Sequence, residues 1–389
     1  MKLAIDGGKP VRKQLLPYGR QQVTGADIKA VVAVLKSDFL TTGPKIAEFE
    51  KAFADVIGVP HAVALSSGTA ALHAAVLAAE VKPGAIVTSP LTFAASANCG
   101  VYAGLKPAFV DVDPLTWNLN VRAVLPVEAR VVVPVHYAGT PADVASIRTK
   151  AVVIEDACHA LGAEARGERV GQCRHSAMTV FSFHPVKHIT TGEGGMVTTK
   201  NADLAERLRE VRHHGICRDA KKFRHAGGAW YHEMQRLGFN YRVTDVQCAL
   251  GLSQLKRLDA NLRRRREIVA AYRAAFGKDG RLELPPEPAG MKSAWHLFPV
   301  ALRLERLSVG RERVFDALKA EGLGVNVHYI PVHLHPYYRE TYGFKPGTFP
   351  VAERLYERLV SLPMFHAMKE RDVKDVVVAV RKVLDAYET

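Results

Sequence analysis

A chain of 389 residues that is 48% hydrophobic and 24% charged, with a mean hydropathy of −0.03, has the balance of a globular protein with a large core, and at ~150 residues per domain its length allows two domains. No apolar run approaches the ~20 residues that span a bilayer, and the opening MKLAIDGGKPVRKQLLPYG lacks the apolar stretch of a secretory signal, so a cytoplasmic location is expected. Lys and Arg number 53 against 39 Asp and Glu, a net charge of +14; this suits nucleic acid or an anionic small molecule such as a nucleotide diphosphate, and the lack of zinc-finger spacing, aromatic RNA-binding signature or basic tail favours the small molecule.

In chain order, HAVALSS leads into GTAALHAAVLAAEV, then AIVTSP into TFAASANCGVYAG and PAFVDVD. ARVVVPVHY, AVVIEDA and AMTVFSF follow. Short β-branched runs alternating with helical stretches predict an α/β fold, a mostly parallel sheet covered by helices. Such sheets hold ligands beyond the carboxyl ends of their strands. A long helix is predicted from Thr244 to Phe276, and its RRRRE run at 263–267 reads as a solvated face. The pattern then changes. SAWHLFPVALRL and GVNVHYIPVH read as strands, with VGRERVFDALKAEG a helix between them. Val373, Val376, Val377, Val380 and Leu384 form one apolar stripe of a last helix. The expected division is a large domain over 1–255 and a smaller α+β domain over 256–389. Five cysteines (Cys99, Cys158, Cys173, Cys217, Cys248) lack CxxC spacing, which argues against a zinc site or a disulfide framework.

Three segments end where a strand gives way to a polar turn. In LSSGTAAL, Ser67, Gly68 and Thr69 open an alanine-rich helix whose free amides and dipole suit an anion, although simple N-capping explains the same residues. In VVIEDACHALGAE, Glu155 and Asp156 alternate across the sheet, so one can face a site while the other is paired; His159 follows within the turn. In FSFHPVKHITTGEGGMVTT, Ser182 and His184 share a strand face and Lys187 lies past its end. Gly192, Gly194 and Gly195 there permit close backbone approach. Most such lysines are surface residues; one desolvated beside other cations is the kind that forms Schiff bases. Together the segments supply an anion cradle, a carboxylate and a reactive lysine, the parts of a pyridoxal phosphate site.

These motifs, with LGFNYRVTDVQCALGLSQL and VHYIPVH, resemble the DegT/StrS family of nucleotide-sugar aminotransferases, of pyridoxal-phosphate fold type I, nearly end to end. The wording around Lys187 is similar to the UDP-4-amino-4,6-dideoxy-N-acetyl-β-L-altrosamine transaminases of pseudaminic acid synthesis. The resemblance implies that Lys187 carries pyridoxal 5'-phosphate as a Schiff base and, once freed, moves a proton as base and then acid. It also implies that Asp156 pairs with the pyridine nitrogen, His159 sits near the ring hydroxyl and Phe93 stacks on the ring. Gly68, Thr69 and Ser182 are expected to hold the phosphate, with Asn240 reaching it from the second subunit of a homodimer. Tyr18, His184, the segment Phe39, Leu40, Thr41, Thr42 and Gly43, and the segment Val327, His328, Tyr329 and Ile330 match positions that contact substrate. A family branch with histidine in place of the lysine dehydrates instead, so Lys187 implies transamination. L-glutamate is the expected donor and a UDP-linked 4-keto-6-deoxy sugar the expected acceptor. A dTDP- or GDP-linked ketosugar, a non-nucleotide ketone, or a cofactor-binding regulator without turnover are the alternatives. His328, His333 and His335 lack the carboxylate or cysteine set of a metal site, so no metal is expected. No nucleic acid or membrane partner is expected either.

Overall fold

The computed structural model describes residues 2–123, 125–225 and 227–389. Its centre is a seven-stranded sheet in the order His61–Leu65, Gly195–Thr199, Met178–Ser182, Val152–Asp156, Ala129–Val133, Ala85–Thr88, Lys106–Phe109. Only Gly195–Thr199 runs against the other six. The strands are short, β-branched and buried on both faces, as a sheet covered by crossover helices requires. The mostly parallel α/β fold expected from the alternation is therefore present.

Helices cover both faces. Gly68–Ala78 buries Ala70, Ala71, Ala74, Ala75 and Ala78, small side chains that let it lie close to the sheet. Pro44–Ile57 presents Phe49, Phe53 and Ile57 at four-residue spacing. Phe53 packs edge-on to Phe181 at 5.2 Å and to Phe183 at 5.6 Å, each buried ring contributing roughly 1.5–3 kcal/mol. In the last third, Leu282–Glu283, Phe298–Leu302 and Leu359–Leu362 form an antiparallel sheet. The helices Arg311–Ala320 and Glu370–Tyr387 pack with it in one apolar cluster. Val373, Val376, Val380 and Leu384 of the predicted stripe are buried there. The N-terminal segment joins this cluster through Leu3 and Leu16. The buried Glu321 ties it down, accepting from the amides of Ala4 (2.8 Å) and Val11 (2.9 Å) while pairing with Lys382 at 2.7 Å.

Three expectations are corrected. The single helix from Thr244 to Phe276 is two helices, Asp245–Leu255 and Leu258–Phe276, and Thr244 caps the first in a reciprocal pair with Gln247. The arginine run at 263–267 is not wholly a solvated face, because Arg265 is completely buried. GVNVHYIPVH is not a regular strand. Only Asn326 bridges to Ser361, and side chains take over the backbone's polar groups, as where Tyr137 donates to the His328 carbonyl.

Gly139 lies against backbone more than 150 residues further along the chain. Its φ is +106°, and a Cβ there would lie 2.8 Å from the Trp295 nitrogen and 2.9 Å from both the His159 oxygen and the His296 nitrogen. These are backbone atoms that cannot swing aside. Gly139→Ala is expected to destabilise the protein by at least about 2 kcal/mol, through strain and overlap together. Thermal unfolding measures it, and an unchanged midpoint would contradict the close approach.

Candidate active site

A cavity of about 690 Å³ opens at the carboxyl ends of the central strands. A larger groove of about 910 Å³ lies at their opposite ends, lined by exposed or half-buried cations such as Arg130 and Lys150 and by no carboxylate. The smaller cavity holds the reactive chemistry, because Lys187, Asp156 and His159 all line it. So do Tyr18, Gly68, Thr69, Phe93, Ser182, His184, Val327, His328 and Tyr329. Phe39 to Gly43, Asn240 and Ile330 are outside the lining. Phe39, Leu40, Asn240 and Ile330 are exposed, and Thr42 and Gly43 border a separate cleft with Arg212 and Arg242.

Alternation along Val152–Asp156 sends its two carboxylates to opposite faces, as the sequence suggests. Asp156 is buried at the cavity. It accepts from Ser96 Oγ at 2.6 Å and from the Cys158 amide at 3.0 Å, and Ser96 is itself bonded to Thr92 at 2.8 Å. Glu155 turns away into a paired, buried position. It accepts from His136 Nε2 at 2.9 Å, from Thr179 Oγ1 at 3.1 Å and from Ser176. The Ala142 amide donates to His136 Nδ1 at 2.9 Å, so the ring proton sits on Nε2, toward Glu155. Burial opposes ionisation of Glu155, but these hydrogen bonds, His136 first, outweigh it and hold its pKa below the usual value.

The helix Gly68–Ala78 starts at the cavity. Ser67 caps it by accepting from the Ala70 amide at 3.0 Å, and the Gly68 and Thr69 amides head the helix dipole. Gly68 has no room for a side chain: a Cβ would stand 2.9 Å from Ser182 Cβ. Gly195 likewise lets its strand press against Ser67, whose carbonyl a Cβ at 195 would overlap. Here is an anion cradle with its walls already closed.

Lys187 follows the strand Met178–Ser182 by five residues, in a turn where its amide bonds the His184 carbonyl at 2.9 Å. Its side chain faces the cavity and is shut off from bulk water elsewhere. That loss of hydration lowers its pKa below the ordinary lysine value, with Asp156 opposing and Arg265 reinforcing the change. His296 Nε2 lies 3.5 Å from its Nζ. His159 accepts or donates at 2.9 Å with Tyr329 Oη through Nε2, while its buried Nδ1 has no partner. Burial, then Lys187, keeps His159 well below its usual pKa, and burial takes His328 down to about 3. Phe93, 59% exposed, forms the rim 6.0 Å from the Tyr329 ring.

His296, Cys158, Ser96 and Arg265 escape sequence reasoning as site residues. Arg265 carries a usable signal: it falls on the helical stripe Leu258, Leu262, Val269, Tyr272. His333 does meet a carboxylate, Glu353 at 3.0 Å, twenty residues away in sequence. Among the described residues no group of three or more His, Cys, Asp or Glu is arranged to hold a metal ion, and no helix is long and apolar enough to cross a membrane.

An amine, a buried carboxylate, a capped helix start without a Cβ at its first position, and an unpartnered ring nitrogen fit an aldehyde cofactor with a basic ring nitrogen and a phosphate. The class defined is a pyridoxal-phosphate-dependent aminotransferase. The match to the DegT/DnrJ/EryC1/StrS aminotransferase family spans residues 21–381, and the chain belongs to that family. It is 38% identical over 383 residues to the spore coat polysaccharide biosynthesis protein SpsC of Bacillus subtilis, covering 96% of this chain and 98% of SpsC. Its structure resembles Helicobacter pylori PseC, an aminotransferase of pseudoaminic acid biosynthesis, with a TM-score of 0.88 at 28% identity, covering 96% of this chain and all of PseC. The PLP form of the sugar aminotransferase Spr1654 from Streptococcus pneumoniae gives 0.87 at 27%, covering 96% and 100%.

The Glu155 network makes stability depend on pH. An unfolded glutamate titrates near ~4.3. A depressed folded pKa adds stability that is complete above that value and is lost as pH falls through the folded pKa. Glu155→Ala should cost about 3 kcal/mol at pH 7, with His136 and two hydroxyls left unpartnered. Denaturant unfolding at stepped pH should show this gap constant above pH ~5 and narrowing below ~4; a gap that widens with acid would contradict the pairing.

Proposed function

We propose that this aminotransferase transfers an amino group from L-glutamate to the keto carbon of a nucleotide-linked 4-keto-6-deoxy sugar, UDP-linked in the first instance. The product is a 4-amino sugar for a surface glycan or a pseudaminic-acid-type compound. The observation that carries the reading is the sharing of one cavity by Lys187, Asp156 and the Gly68 helix start at the carboxyl end of the sheet. SpsC, of spore coat polysaccharide biosynthesis, and PseC, of pseudoaminic acid biosynthesis, favour a sugar acceptor.

When bound, pyridoxal phosphate supplies an electrophilic aldehyde and a ring that accepts an electron pair. Lys187 would hold it, and its Nζ would take up and give back a proton, a task suited to an amine whose charge is disfavoured. Asp156, its oxygens bonded by Ser96 and the Cys158 amide, would keep the ring nitrogen protonated. His159, a neutral imidazole, would meet the ring hydroxyl, and Phe93 at the rim would cover the ring. Gly68, Thr69 and Ser182 take the phosphate. Tyr18, His184, Val327, His328 and Tyr329 face the sugar. The same reading keeps 1–255 as the cofactor-binding domain and 256–389 as the smaller one, with Leu3 and Leu16 reaching across to the latter's core.

Phe39 to Gly43, Asn240 and Ile330 enter the reading through a second copy of the chain. Supporting this, Ile28, Val32 and Leu35 leave an apolar helix stripe exposed, continued by Phe39 and Leu40. In the homodimer, Asn240 of one subunit reaches the phosphate bound to the other.

Keto-sugar nucleotides carrying UDP, dTDP or GDP, and free ketones, are to be offered with glutamate. Turnover of UDP-linked 4-keto-6-deoxy sugars with at least a tenfold preference is expected, whereas turnover of free ketones alone would remove this reading. Glutamate that produces no absorbance change in the holoenzyme would favour a regulator without turnover. For the shared site, Lys187→Ala alone should abolish transamination and Asn240→Ala alone should weaken cofactor retention. Mixed under proven subunit exchange, the two should regain part of the activity, and no regain would count against the second copy.

A further inference from the structure

Behind Lys187 lies a buried assembly that the roles above leave unused. Arg265 is completely buried and pairs with no carboxylate among the described residues. Its Nη1 instead shares its two hydrogens among three carbonyls, those of Trp295 (3.0 Å), His296 (3.1 Å) and Met364 (3.3 Å). Nε and Nη2 have no partner among the described residues. Burying an unpaired cation is costly, and a fold that retains one invites a functional reason.

The carbonyls it grips belong to a strained turn. Trp295 has φ +51°, a left-handed conformation that a bulky residue keeps only when its surroundings enforce it. Ser293 Oγ accepts from the Trp295 amide at 3.0 Å. Gly139 and Ala138 accept from the flanking amides of Ala294 (3.0 Å) and Leu297 (3.2 Å). Arg265 closes the set from the other side. The result is a fixed His296 ring, packed 4.4 Å from His159, with Nε2 at 3.5 Å from Lys187 Nζ and Nδ1 unpartnered.

The charges around the amine come from every side. Asp156 favours its protonated form and Arg265 opposes it. Burial holds the Cys158 thiol well above its usual pKa, so it stays uncharged. His188, on the same turn, bonds the Ala294 carbonyl at 2.9 Å. His159, His188, His296 and His328 are all held neutral by burial.

We propose that Arg265 is a positioning residue for Lys187: it locks the Trp295–His296 turn so that the His296 ring accepts from the lysine amine and fixes its direction. The proposal rests on Lys187 being the cofactor-binding lysine.

Cofactor-free protein is mixed with pyridoxal phosphate across pH, and capture is followed by absorbance and by borohydride trapping with peptide mapping. Capture needs the uncharged amine, so its rate rises through the midpoint of Lys187. In the native protein that midpoint should fall below the ~10.4 of free lysine. Arg265→Met, which releases the carbonyls of the turn, should slow capture several-fold at pH values where the amine is uncharged, with the midpoint little changed. His296→Leu should slow capture about tenfold at high pH, and His296→Gln, whose amide oxygen can accept, should recover most of the rate. A native capture rate in a folded Arg265→Met, with the adduct still on Lys187, overturns the role of Arg265. Equal slowing by Leu and Gln at 296 overturns the positioning by His296. Should Arg265→Met fail to fold by thermal melting, the Leu and Gln comparison at 296 decides the proposal. An adduct on another residue overturns the assignment of Lys187 instead, and so is told apart from failure of the proposal.

Discussion

The constraint on which the site depends is the poor hydration of one amine. Lys187 faces a cavity yet has lost water on its other sides, and what it lost has not been repaid by a close carboxylate pair. An ion-paired lysine would be a stronger structural feature and a worse nucleophile. The fold instead places the amine in a cavity with a carboxylate bonded elsewhere and surrounds it with uncharged rings. Each group must be placed by backbone remote in sequence, which gives the rest of the structure its task.

The parallel sheet performs the first part. Asp156 and Glu155 are adjacent, and pleating alone separates them into a site carboxylate and a structural one. Glu155, with His136, Ser176 and Thr179, pins the strand from behind, so the direction of Asp156 does not rely on Asp156 itself. The antiparallel strand Gly195–Thr199 performs another part. Because Gly195 and Gly68 lack side chains, the start of the helix, Ser182 and the lysine turn can crowd together without overlap.

How much of this was legible follows from how local each signal is. Strand alternation, the Ser67 cap and the split of the carboxylates are each written within a few residues, and the structure has all three. The break at 256–257 was not legible, since Lys256 and Arg257 are good helix formers and the stop is tertiary. Arg265 was misread because four arginines look like one solvated face; the apolar stripe on either side of it was the better guide. The segment 324–333 reads as a strand by composition but has its carbonyls and rings satisfied by Tyr137 and Ser361, contacts over sequence separations that no window sees. His296 has no local signature at all.

The helix Leu258–Phe276 accounts for these failures together. Leu258 and Leu262 belong to the core beneath the central sheet, while Ile268, Val269, Tyr272 and Phe276 belong to the core of the C-terminal sheet. Arg265 sits where the helix passes from one to the other, and from there it bonds residues 295, 296 and 364. At such a crossing neither core supplies a carboxylate, and a hydrocarbon side chain would leave three carbonyls facing apolar surface. A guanidinium reaches them from the helix, its Nη1 meeting all three carbonyls. The position of His296 beside the amine is therefore set by the junction of two cores, and reading it requires the assembled fold.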